Sequence, residues 1–303
     1  MTEPTPRQRL TGAATVNAYK MGSLAARLMP GPVVTAAAAS LGFGASFANA
    51  ERRAMIERHM KRVNPNLRGA SLRVAVQQAF DSYARYYVES FRLPSLSKPT
   101  VARSFTVDGF HHITDALELG NGCIFALPHL GGWEWAGRWM TDQGFPMTVV
   151  VEALEPPELF EWFADLRKEL GMSIIPTGPG AAAAVTKALK DNRIVCLLCD
   201  RDIERNGVEV EFFGERTTLP AGPAMLGLRV GTPVLPVGCY FTPAYNGHHA
   251  LVRPPLSMVR QAGLRDDVSR ITQNLARELE FLIRRAPEQW HLFQPNWPSD
   301  PGY

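Results

Sequence analysis

Cysteine is scarce in this chain. Its 303 residues carry four, Cys123, Cys196, Cys199 and Cys239, each inside an apolar run, which excludes a secreted disulfide framework and points to a reducing compartment. Acidic residues are short in the first third: Met1 to Ser104 hold 5 Asp+Glu against 15 Lys+Arg, and the remainder holds 24 against 17. The net charge of +3 therefore splits into +10 and −7, which excludes an evenly solvated chain and argues for a basic surface facing an anionic partner, phospholipid or nucleic acid. Leu-rich membrane runs are missing as well. The uncharged stretch of 23 residues from Leu28 to Ala50 is long enough to span a bilayer or to end a signal peptide, but Pro30 and Pro32 interrupt it and Ala, Gly, Ser and Thr supply most of it. Helices lying on or dipping into a bilayer surface fit it better. No internal repeat is present, and low complexity is confined to Ala181 to Ala184.

What remains is an ordinary globular composition, 46% apolar and 20% charged, with enough length for a large core. Met55, Ile56, Met60 and Val63 form one stripe of a helix over 51–63 with Arg58 and Lys61 opposite, a pattern that suits a membrane interface or a core-facing basic helix. Leu72, Val76, Ala79, Tyr83 and Tyr87 repeat at helical spacing over 71–91, ending at Leu93-Pro94. After a linker over 95–100 the pattern changes. Short apolar runs at 123–127, 147–151, 173–175, 194–199, 208–212, 234–241 and 249–252 alternate with helical stretches, predicting an α/β fold with a central mixed sheet flanked by helices. The expected organisation is a basic helical membrane-associating region over 1–104 and one α/β domain over 105–303.

The first of these strands ends Ala126-Leu127-Pro128-His129-Leu130-Gly131-Gly132-Trp133-Glu134. Catalytic groups of open α/β sheets gather beyond the carboxyl ends of strands, where His129 falls. Gly131-Gly132 permit a turn that puts His129 in the loop and Glu134 in the first turn of a helix, within reach of the imidazole. His129 with Glu134 as its carboxylate partner would be a general base suited to deprotonating an alcohol, and a satisfied structural histidine is the plain alternative. Asp200, Arg201 and Asp202 follow the strand at Ile194, reading as a solvated turn or a polar site. Arg167 would touch a phosphate or pair with Asp165 or Glu169. Cys196-x-x-Cys199 lies in a strand with no second Cys/His pair to complete a metal site, and the doublets His111-His112 and His248-His249 point apart if extended, so no metal is expected.

The ordered motifs, a strand ending Pro-His, His129-x4-Glu134, Asp200-Arg201-Asp202, Gly207-Val208-Glu209-Val210-Glu211-Phe212-Phe213-Gly214-Glu215, Leu219-Pro220-Ala221-Gly222-Pro223-Ala224 and Gln289-Trp290-His291-Leu292-Phe293-Gln294-Pro295-Asn296-Trp297, together resemble the bacterial lipid acyltransferases related to the lipid A late acyltransferases. The resemblance covers nearly the whole chain. It implies transfer of a long acyl chain, palmitoyl first among candidates, from acyl-CoA as co-substrate to a mannose hydroxyl of a phosphatidylinositol mannoside, with no cofactor. Its implied roles are His129 as general base and Glu134 as its orienting group. Asp200 would align them or hold the acceptor. Arg167, Asn206 and Arg229 would lie near acyl-CoA, or Arg167 would instead bridge to Glu152, and Glu152, Arg201 and Asp202 would serve the acceptor side. Gly131, Gly132 and Trp133 would offer oxyanion donors, and Trp133, Trp135 and Trp139 an acyl groove. The implied partners are an anionic phospholipid membrane and a glycolipid acceptor, with no nucleic acid, at the cytoplasmic face of the plasma membrane. Lipid A or another glycolipid as acceptor, and a non-catalytic lipid-binding protein, are the competing classes.

Overall fold

The computed structural model describes residues 6–152 and 156–303, so the first five residues of the expected 1–104 region lie outside the described ones. Five helices lead: α1 (Pro6–Leu28), α2 (Gly31–Ala48), α3 (Ala50–Val63), α4 (Gly69–Arg92) and α5 (Lys98–Arg103). Strand β1 (Phe105–Asp108) and α6 (His111–Glu118) follow. Then β2 (Cys123–Leu127), α7 (Trp133–Asp142), β3 (Met147–Val151), α8 (Pro157–Glu169), β4 (Ser173–Pro176), α9 (Ala181–Lys190) and β5 (Ile194–Leu198) alternate. A hairpin of β6 (Val208–Phe212) and β7 (Glu215–Leu219) precedes α10 (Gly222–Val230), β8 (Val234–Phe241), β9 (His248–Val252) and α11 (Leu264–Arg284).

Seven strands form a mixed sheet in the order β1-β9-β8-β2-β5-β3-β4. All neighbours run parallel except β8 and β9. Strand alternation divides the core into two layers. Ile124 and Ala126 of β2 face the layer that α9 and α11 close with Leu189, Leu275 and Leu279. Cys123, Phe125 and Leu127 face the opposite layer, which α6 and α7 close with Ile113, Trp135 and Met140. The mixed α/β sheet expected from the pattern is thus present. β1 and β7 were not anticipated, being short and rich in polar residues, and the expected linker over 95–100 is instead a turn running into α5, whose Ser97 cap accepts the Thr100 amide.

The Ala/Gly-rich run from Leu28 to Ala50 is not one span. Pro30 and Pro32 end α1 and start α2, as proline does at a first helical turn. Small residues then let α2 lie against α4. A Cβ at Gly42 would sit 2.7 Å from the Asp81 Cα, and Ser46 donates to Gln77 Oε1 at 2.7 Å. Met55, Ile56, Met60 and Val63 of α3 are buried, so that stripe faces the core rather than a membrane interface. His111 and His112 open α6, where their rings lie 4.0 Å apart rather than on opposite faces of a strand.

Candidate active site

Parallel pairing of β2 with β5 keeps a constant register, Cys123 beside Ile194 through Leu127 beside Leu198. Two residues further along the same offset stand His129 and Asp200. The Cys199 amide still donates to the Leu127 carbonyl at 2.8 Å, so the chains separate only where the polar groups begin. Asp200 is fully buried. Its Oδ1 lies 2.7 Å from His129 Nδ1, and its Oδ2 accepts the His129 amide at 3.0 Å and the Trp290 indole N–H at 2.7 Å. Burial alone would raise the Asp200 pKa, but the His129 charge and hydrogen bonds together with the Trp290 donor outweigh it and hold the carboxyl below its ordinary value. A carboxylate at Nδ1 selects the tautomer that carries its proton there and its lone pair on Nε2.

The partner of His129 is therefore Asp200, not Glu134. Glu134 is buried in the first turn of α7, as anticipated, but residues five apart around a helix start diverge, and its carboxylate turns toward α8. Arg167 donates to Glu134 Oε1 from Nε at 2.9 Å and Nη2 at 2.6 Å, and the Tyr86 hydroxyl donates to the same oxygen at 3.2 Å. Burial would lower the Arg167 pKa, but Glu134 holds it above the ordinary guanidinium value. Arg167 consequently bridges to neither Glu152 nor its helix neighbours. Asp165 pairs with Lys168 and Glu169 with Arg27.

His129 opens onto a cavity of about 720 Å³. Strand interiors supply its apolar lining, Phe125 and Leu127 of β2, Val237 and Cys239 of β8, and Ala250 and Val252 of β9, beneath Ile113 and Met140. The ends of strands supply much of its polar lining, His129, Glu152, Arg201, Asp202, Glu204 and Asn206, and Glu134 of α7 and Arg167 of α8 line it as well. Asp202 accepts the Gly207 amide at 2.7 Å, and the exposed Asn206 donates to Glu204. Arg229 is exposed on α10 and outside this lining, so the structure does not bring it to the site. Trp133 and Trp139 line the cavity, whereas Trp135 is stacked on His248 at 4.2 Å. Cys196 and Cys199 also line it, and burial raises both thiols above their ordinary values, which leaves them poor nucleophiles and ligands. Gly131 adopts φ +60°, and a Cβ there would lie 2.3 Å from the Cys239 carbonyl. Its amide donates to the Gln289 carbonyl, which removes it from the expected oxyanion donors.

Four residues at the site carried no sequence expectation: Tyr86, Trp290, His291 and Asn296. His291 lines the cavity, bonds Ser82 Oγ through Nε2 at 2.9 Å, and gives its amide to the His129 carbonyl. Asn296 Nδ2 donates to the Asp200 carbonyl. Nearly all of these lie in the closing motif from Gln289 to Trp297, whose aromatic and amide content was the available signal.

A part-exposed histidine on a buried aspartate at adjacent strand ends, set over an apolar cavity in a seven-stranded α/β sheet, suits acyl transfer, and the comparison with known families agrees with that class. The family of bacterial lipid A biosynthesis acyltransferases matches residues 1–299, and the chain belongs to it: it is an acyltransferase. Among curated relatives, the phosphatidylinositol mannoside acyltransferase of Mycobacterium tuberculosis H37Rv is 35% identical over 301 residues, covering 97% of this chain and 92% of the relative. The protein of that name from Mycolicibacterium smegmatis is 38% identical over 228 residues, 74% of this chain and 73% of its own.

Proposed function

We propose that the chain transfers a long acyl group from acyl-CoA to a mannose hydroxyl of a phosphatidylinositol mannoside, at the cytoplasmic face of the plasma membrane. The observation that carries the mechanism is the 2.7 Å contact between His129 Nδ1 and the buried Asp200. The acyl chain lies in the apolar cavity, with its thioester at the polar end. His129 Nε2 takes the proton of the sugar hydroxyl as its oxygen attacks the thioester carbon, and Asp200 stabilises the imidazolium that forms. The tetrahedral intermediate then collapses, the carbon–sulfur bond breaks, and the imidazolium returns the proton to the CoA thiolate. Donors for the oxyanion come from the Gly132 and Trp133 amides at the start of α7. A thioester is a better acyl donor than the ester it becomes, so the reaction needs no further energy source. The Glu134–Arg167–Tyr86 cluster fixes the start of α7 against α4 and α8 rather than acting on the proton.

The acceptor assignment is supported by the names of the relatives together with the basic character of the first third. The exposed apolar residues of α1 and α2, which include Leu28 and Phe47, support a peripheral or monotopic seating. The test is to incubate purified protein with palmitoyl-CoA and a phosphatidylinositol dimannoside, and to identify the product by mass spectrometry. A product heavier by one palmitoyl group is expected. In His129→Ala, with unchanged circular dichroism, turnover should fall by at least about a hundredfold, and near-normal turnover would overturn the general-base role.

A further inference from the structure

The Asp200 carboxylate is aimed from behind by the end of the chain. An isolated antiparallel bridge joins Leu130 to Trp290. Within it the Gly131 amide donates to the Gln289 carbonyl at 2.9 Å and the His291 amide to the His129 carbonyl at 2.7 Å. Gln289 anchors this short ladder to β8, its side chain accepting the Phe241 amide and donating to the Phe241 carbonyl. The indole of Trp290 is thereby delivered behind the His129 loop. It is 2% exposed and packs edge-on against Phe212 and Trp297.

A carboxylate bonded to one imidazole nitrogen can rotate about its last bond unless its other oxygen is also held. In Asp200 that oxygen has two donors, one from the loop it must orient and one, Trp290 Nε1, from an independent segment. The indole N–H donates and cannot accept, so it stabilises the ionised carboxylate more than the neutral acid. Resting on the reading of His129 as the base for acyl transfer, we propose that Trp290 is a positioning residue of the reaction: its indole N–H locks Asp200 Oδ2 so that Oδ1 faces His129 Nδ1. It touches neither substrate nor the reacting atoms.

The test compares Trp290→Phe with wild type and with His129→Ala, using palmitoyl-CoA and the dimannoside acceptor. Trp290→Phe keeps most of the ring and loses the donor. A fall in kcat on the order of ten- to a hundredfold is expected, the range for losing a hydrogen bond to a charged group, with KM for both substrates nearly unchanged. Without the indole, Asp200 carries more uncompensated negative charge and favours the protonated imidazole. The acid limb of the kcat/KM profile therefore moves to higher pH. Other titratable groups facing Asp200 include His291 and Cys199, neither of which the substitution alters.

Because a fully buried ring is being changed, a second variant replaces Trp290 with benzothienylalanine, which keeps the bicyclic shape and puts sulfur where the N–H was. The same kcat loss and pH shift in both variants support the proposal. Wild-type kcat and pH profile in the benzothienylalanine variant overturn it. An active His129→Ala would instead overturn the reading of His129 as the base, so the two failures are distinguishable.

Discussion

His291 and His129 are neighbours, yet their surroundings ask opposite things of them. His129 is part-exposed and tied to a carboxylate. His291 is buried, donates or accepts only at Ser82 among the described side chains, and lies beside His129, so burial and that neighbouring charge lower its pKa to about 3. It stays neutral, and no second cation competes with His129 for Asp200. A consequence for stability follows from linkage. Below about pH 6.5 the unfolded chain takes up a proton on this histidine that the folded chain refuses until about pH 3. Its contribution therefore diminishes as pH falls through that window, by up to about 1.4 kcal/mol per pH unit. Urea unfolding between pH 6.5 and 4.5 should show a steeper loss in wild type than in His291→Gln, and equal slopes would count against the buried neutral imidazole. Asp200 adds a separate loss at lower pH. Its depressed pKa stabilises the fold above the ordinary carboxylate range near pH 4 and ceases to do so as pH falls below it.

At the scale of elements, periodicity made most of the molecule readable, and its failures have physical causes. Runs such as Cys123–Leu127 and Val234–Phe241 are buried along their whole length, so their apolar content marks them. Glu215–Leu219 is an Arg- and Thr-containing strand whose existence depends on its partner β6, a relation absent from local composition. The hairpin turn is equally non-local in its logic: Phe213 and Gly214 both take positive φ, and Phe213 accepts that conformation while its ring packs 5.7 Å from Trp290. His129 was legible from its place after a strand. Asp200 was expected at the site only through the resemblance, and its direct pairing with His129 was not legible, because the strand order that sets β5 beside β2 brings it across 71 residues of chain, whereas Glu134 is near in sequence.

Helix α2 shows the same dependence on a neighbour. Its glycines differ in what stands beside them: a Cβ at Gly42 would lie 2.5 Å from Asp81 Oδ1 and 2.7 Å from its Cα, while a Cβ at Gly44 would meet nothing within 4 Å. Glycine inside a helix costs up to about 1 kcal/mol relative to alanine. Gly44→Ala should therefore stabilise by about that amount. Gly42→Ala should destabilise by about 1–3 kcal/mol, because α2 must move off α4. Thermal unfolding of the two single variants checks the opposite signs, and a stabilised Gly42→Ala would mean that the two helices are not in contact.

Taken whole, the basic excess of the first third is only partly available to a partner. Arg62 is committed to Asp300 and Glu215, Arg85 to Glu89, and Arg27 to Glu169. Arg52, Arg58 and Lys61 stand exposed on α3, Arg68 at the N-cap of α4 and Arg73 on α4, and the exposed apolar residues of α1 and α2 include Leu24, Leu28, Phe43 and Phe47. Helix α2 is also long and apolar enough to cross a membrane, but its contacts with α4 give it a second side that lipid cannot replace without breaking them. On the membrane reading, shallow docking would keep both sides satisfied. Each well-placed Lys or Arg would then add about 1 kcal/mol of attraction to anionic lipid, and that attraction is screened by salt over about 10 Å at 0.1 M. Sedimentation with phosphatidylinositol-containing vesicles should weaken steeply between about 0.05 and 0.5 M salt, over which the screening length falls roughly threefold. Leu28→Glu and Phe47→Glu should lower binding at every salt concentration, since they remove apolar insertion and add a charge that the anionic surface repels. Equal binding to neutral and anionic vesicles throughout would remove the electrostatic component. An unchanged affinity in both Glu variants would place the docking surface elsewhere than α1 and α2.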